Sequence, residues 1–99
     1  MKVYLDDERP VPDGWYLVKT AHEAIDALKA GTVTHISLDH DLGDETVVGT
    51  GYDVLLWLEE AVFTKDFAPP VISIHTANIS ARTKMELAAQ QIEARANRL

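Results

Sequence analysis

Three short β-prone runs, KVYL (2–5), HISL (35–38) and VISIH (71–75), each stop abruptly against polar residues, and helix-length amphipathic segments lie between them. Of all the features of the chain, this alternation constrains the fold most. Apolar strands separated by amphipathic helices pack as an α/β layer structure around a mainly parallel sheet. WYLVK (15–19) supplies a further strand, so the expected order is β-β-α-β-α-β-α. The connection DDERPVPDG (6–14) carries two prolines and a glycine, reads as a loop, and is short for a parallel crossover. Extended residues cover about 3.3 Å each, so a crossover without a helix still fits.

The helices have start and stop signals. Thr20 followed by Glu23 is a capping-box pattern, Ala21, Ile25 and Leu28 form a buried stripe, and Gly31 sits where a left-handed C-cap is expected. A second helix, GYDVLLWLEEAVF (51–63), follows Thr50 as its cap and turns Val54, Leu55, Leu58 and Val62 to one side. A third runs from about Ser80 to Arg98, with Met85, Ala89 and Ile92 as its inner stripe. Between strand three and the second helix, an acidic loop extends to about Gly49. The expected architecture is a small three-layer α/β sandwich, one domain over 1–99, with a mainly parallel four-stranded sheet of order 2-1-3-4, the flavodoxin-like arrangement without its last strand.

Composition narrows the function. The chain has no cysteine, so thiolate metal sites and disulfides are excluded. No apolar run approaches the roughly 20 residues that span a bilayer, the start lacks a signal-peptide core, and the expected location is the cytoplasm. The net charge of −7 disfavours non-specific binding to nucleic acid. It is also local. Asp6, Asp7, Glu8, Asp39, Asp41, Asp44 and Glu45 form two short clusters, and without these seven acids the chain is neutral.

Both clusters follow strands. In open parallel sheets, ligands bind beyond the carboxyl ends of the strands at the point where strand order reverses. Order 2-1-3-4 makes strands one and three neighbours there. Asp6 and Asp7, then Asp39, His40 and Asp41, then His75 and Thr76, would meet at one rim. Clustered carboxylates repel one another, and a hard divalent cation, Mg²⁺ or Mn²⁺, removes that penalty. An acid pair after a strand is also what a solvated turn looks like. It is the coincidence of two clusters at matching strand ends that points to a metal or phosphate site.

Five blocks, VYLDDE, TAHEAIDAL, HISLDHDL, GYDVLLWL and PVISIHTA, resemble in order those of response-regulator receiver domains. That resemblance matches Asp6 and Asp7 to the acidic pair, Asp39 to the phosphoacceptor and Thr76 to the hydroxyl after strand four. It also departs from the pattern. The helix after strand one is replaced by ERPVPDGW, and no fifth strand or phosphoryl-anchoring lysine can be assigned, which disfavours phosphoacceptance on Asp39. A closer similarity is to cyclic-phosphate processing receiver-like domains, through LDDERP…GW, SLDHDLG…TGYDV and the segment His75, Thr76, Asn78, Arg82, Met85.

That similarity implies activity on cyclic phosphates of nucleotides or RNA ends. A metal would rest on Asp6, Asp7, Asp39 and Asp41. Asp39, His40 and His75 would be catalytic, and Arg9, Thr76, Asn78 and Arg82 would hold phosphate. Arg82 is equally placed to pair with Glu86 at i, i+4. The competing function is a non-catalytic receiver-like module that binds a phosphorylated ligand or a protein partner. The uncovered edge of strand four suggests a homodimer.

Overall fold

The structure, a computed structural model, describes residues 1–97. Its elements in chain order are β1 (Lys2–Leu5), β2 (Tyr16–Val18), α1 (Ala21–Lys29), β3 (His35–Leu38), α2 (Glu45–Val48), α3 (Gly51–Lys65), β4 (Val71–Ile74) and α4 (Ile79–Ala96). The strands form one four-stranded sheet of order β2-β1-β3-β4, parallel at every pairing. This is the expected order, and the helix-free crossover from β1 to β2 is made by the loop of residues 6–15. The expected end of α4 at Arg98 lies outside the described residues.

Register and alternation decide which side chains are buried. Val3 and Leu5 pair with Ile36 and Leu38, and all four are fully buried. They share one core with Leu28 of α1, Val54, Leu55 and Leu58 of α3, and Met85 and Ile92 of α4. On the opposite face Lys2, Val71 and Ser73 are exposed, and Tyr4 and His35 are half-buried. No described helix covers that face, so the expected third layer is not formed and the sandwich has two layers. The topology explains this. Crossovers β2-α1-β3 and β3-α3-β4 both advance in the same direction across the sheet, and right-handedness puts both helices on the same side. Only the connection leaving β1 runs the other way, and it holds no helix.

Local differences have local causes. The second strand is shorter than WYLVK, because Trp15 leaves it to pack edge-on against Tyr4. In α1 the buried residues are Ala21, Ala24 and Leu28, with Ile25 only half-buried. The small Ala24 lets the helix approach the sheet. Thr20 accepts the Glu23 N–H at 3.1 Å, but the Glu23 carboxylate meets the Thr20 hydroxyl rather than its backbone. The acidic loop contains a helical turn, α2, capped by Asp44. The second long helix extends to Lys65. No helix among the described residues is long and apolar enough to cross a membrane.

Thr50 caps α3 with a full capping box. Its Oγ1 accepts the Asp53 N–H at 3.3 Å, and the Asp53 carboxylate accepts the Thr50 N–H at 2.9 Å. Thr50→Ala should therefore cost about 1 kcal/mol of stability, measured as a lower urea midpoint with an unchanged m-value.

Candidate functional site

The site is built by continuing the sheet by one residue beyond the named strands. Asp6 N–H donates to Val18 O at 3.1 Å, Asp39 N–H to Leu5 O at 3.0 Å and His75 N–H to Leu38 O at 2.9 Å. Leu5, Leu38 and Ile74 are in register, so the residues after them, Asp6, Asp39 and His75, stand side by side at the carboxyl ends of three adjacent strands. Neighbouring strands lie about 4.8 Å apart. Each of the three side chains offers a ligand atom within 4.8 Å of the other two.

Asp6 is held on all sides. It is 1% exposed. One oxygen, Oδ1, accepts the N–H groups of Glu8 and Arg9, both at 2.9 Å, and this turn ends β1. The other, Oδ2, lies 3.0 Å from His75 Nε2 and 3.9 Å from Arg9 Nε. The far nitrogen of His75, Nδ1, is 2.7 Å from the Ser37 hydroxyl. Its ring stacks on Tyr4, with centroids 4.3 Å apart and planes 4° from parallel. The Arg9 guanidinium donates to the His75 carbonyl.

Asp39 is freer. Its Oδ1 accepts the His40 N–H at 2.8 Å, and among the described residues nothing donates to Oδ2. Asp41 links two elements. It accepts from His40 Nδ1 at 2.7 Å and from the Asn78 amide at 3.3 Å. Asn78 caps α4, accepting the Ala81 N–H at 3.0 Å. Thr76 is buried, and its hydroxyl accepts the Asn78 N–H at 3.1 Å. Together these groups form an open cavity of about 380 Å³, lined by Asp6, Asp7, Arg9, Asp39, Asp41, Thr76 and Asn78.

Most of the residues expected at the rim are thus brought together, and three stand apart from the cavity wall. His75 lies behind Asp6. His40 faces a neighbouring cavity of about 460 Å³ lined also by Thr46, Tyr52 and Lys84. Arg82 turns outward, with Nη2 3.5 Å from Ile74 O and Nε 3.8 Å from Glu86, the i, i+4 pairing. Asp7 lines the cavity but is outside the group of three that converge. A second convergent group is His40, Asp41 and Glu45. Two residues escaped the sequence reading. Ser37 is a small polar residue inside an apolar strand, and period-2 alternation places it on the face of Tyr4 and two residues before Asp39. Gly51 sits at the start of α3, where an added Cβ would lie 1.8 Å from the Asp39 carbonyl oxygen.

The electrostatics follow from burial and contacts. Burial alone would raise the Asp6 pKa, but the backbone N–H groups of Arg9 and Glu8, and then His75, outweigh it and hold it below the ordinary carboxylate range. Burial has the largest influence on His75 and lowers its pKa, against the opposing pull of Asp6 and Asp39. The hydrogen bond from His40 is the main influence holding Asp41 low. Both Asp6 and His75 bind protons more tightly in the unfolded chain, so both contributions to stability diminish as pH falls. That of His75 is complete above about 6.5 and declines below it, and that of Asp6 is complete above about 3.9 and is lost through its lower folded pKa. In chelator, the urea midpoint should drop between pH 7.5 and 5.5, and drop less in His75→Gln, as measured by denaturation at each pH.

A parallel 2-1-3-4 sheet with acids after β1 and β3 and a buried hydroxyl after β4 defines a receiver-type domain. The family model described as Cyclic-phosphate processing Receiver domain matches residues 1–91, and the chain belongs to that family. No curated protein and no solved structure matches it.

Proposed function

We propose that the corner between β1 and β3 binds a divalent cation together with a cyclic phosphodiester, of a nucleotide or an RNA end, and opens the ring by hydrolysis. The observation that carries this reading is the convergence of Asp6 and Asp39 ligand atoms within 4.8 Å at a cavity whose lining also holds Arg9, Thr76 and Asn78. The donor set fits a hard cation. The free Asp39 Oδ2 and the singly hydrogen-bonded Asp6 Oδ2 are carboxylate oxygens, the type Mg²⁺ and Mn²⁺ prefer, and water completes such a shell. The cation would supply charge stabilisation to the phosphoryl oxygens.

The remaining roles belong to the chain. Arg9 is the one cationic side chain lining the cavity among the described residues, and it balances phosphate charge there. Thr76 and the start of α4 at Asn78 face the same space and accommodate phosphoryl oxygens. A water oxygen adds to phosphorus, one ring P–O bond breaks, and the proton lost by water ends on the leaving oxygen. His40 faces the neighbouring cavity and, bound to Asp41 through Nδ1, orients that carboxylate rather than passing the proton itself. No described lysine lines the cavity, which disfavours phosphoacceptance by Asp39.

A panel of 2′,3′- and 3′,5′-cyclic nucleotides and cyclic-ended RNA, assayed with Mg²⁺ and Mn²⁺, tests the reading. Ring opening that Asp39→Asn abolishes supports it. Ligand binding without turnover by the wild type replaces it with the binding-module reading, and turnover unchanged in Asp39→Asn refutes the assignment.

A further inference from the structure

We propose that Ser37 is a positioning residue, the outer end of a Ser37–His75–Asp6 relay that fixes the imidazole tautomer and thereby the oxygen Asp6 presents at the corner. A carboxylate only accepts hydrogen bonds, so at 3.0 Å from Asp6 Oδ2 the His75 Nε2 must carry the proton. In the neutral ring Nδ1 is then bare, and the Ser37 hydroxyl 2.7 Å away donates to it. Both ends of the relay are buried. Ser37 is 6% exposed and Asp6 1%. A serine in the middle of an apolar strand carries the cost of a buried hydroxyl, which this bond to His75 offsets. Tyr4 stacked on the ring removes its freedom to rotate.

The consequence concerns Asp6. Its Oδ1 is occupied by two backbone N–H groups, and one lone pair of Oδ2 by His75. One lone pair of Oδ2 is left for the corner. His75 therefore acts on a ligand carboxylate as a donor, and is neither a cation ligand nor the group that moves the reaction proton. Outer partners of this kind orient metal-binding carboxylates. This consequence rests on the function proposed above, whereas the tautomer itself does not.

Two measurements separate them. In ¹⁵N-labelled, metal-free protein, long-range ¹H–¹⁵N correlation should show His75 protonated on Nε2, and Ser37→Ala should shift its Nδ1 resonance, a change that a merely space-filling serine would not cause. Mn²⁺ binding followed by electron paramagnetic resonance should weaken about tenfold in Ser37→Ala and in His75→Asn, whose amide does not reach Asp6. His75→Gln, whose amide N–H reaches where Nε2–H stood, should bind within about threefold of wild type, since it restores the lost donor. An Nδ1–H tautomer in the wild type, or His75→Gln binding as weakly as His75→Asn, overturns the relay. Absence of Mn²⁺ binding by the wild type refutes the cation reading instead, and the wild-type spectrum then decides the relay alone.

Discussion

Gly51→Ala should cost about 3 kcal/mol or more, the upper end of what overpacking a core usually costs. An alanine Cβ at this position would lie 1.8 Å from the carbonyl oxygen of Asp39 and 2.8 Å from the Met85 methyl. The methyl can swing away, but the carbonyl belongs to the backbone at the end of β3 and cannot. The start of α3 is tied to the same place, because Gly51 N–H donates to His40 O at 3.3 Å and Thr50 bridges to Asp41. Relief therefore requires the helix to leave the sheet and pull the acidic rim with it. For a domain of this size about 1 kcal/mol corresponds to roughly 4–8 °C in Tm, so a drop on the order of 12 °C or more is expected by calorimetry. A change under about 4 °C would mean the close approach of α3 to Asp39 is not real.

Asp39→Asn should move two quantities in opposite directions. Asp39 stands between Asp6 and Asp41 at one corner, and its Oδ2 has no donor among the described residues. Without a cation, that charge is unfavourable beside its neighbours. The asparagine keeps the oxygen that accepts the His40 N–H and removes the charge. Stability in chelator should rise by about 0.5–1 kcal/mol, as is common when a functional site loses a strained charge. Cation affinity should fall by about 100-fold, the upper end of what the loss of an outer partner causes. Urea denaturation with and without Mg²⁺ reads both, since a cation that binds only the native state stabilises wild type and leaves the variant unmoved. A variant destabilised in chelator, yet stabilised by Mg²⁺ as fully as the wild type, would place the cation elsewhere.

The strands and helices were legible because their patterns are strong. Leu5, Leu38 and Ile74 end their runs in phase, so the register alone sets Asp6, Asp39 and His75 together. The capping of α3 by Thr50 was equally readable. The missing third layer was not, because alternation of strands and helices does not say on which side of the sheet each helix packs, and the loop of residues 6–15 supplies no helix for the back face. Ser37 went unread because a lone serine in a strand becomes meaningful only when the partner strand brings His75 over it. Gly51 looked like an ordinary helix start, since close approach of two backbones leaves no trace in local sequence. Arg82 illustrates the opposite limit. Its motif position suggested phosphate, while the nearer partner Glu86, one turn along α4, holds it outside the cavity.

The most direct test is a crystal structure of the protein with Mn²⁺, using anomalous scattering to locate the ion. The predicted result is a peak bound by Asp6 Oδ2 and Asp39 Oδ2, with His75 still donating to Asp6. A peak only at His40, Asp41 and Glu45, the other convergent group, or no peak at saturating Mn²⁺, would contradict the account.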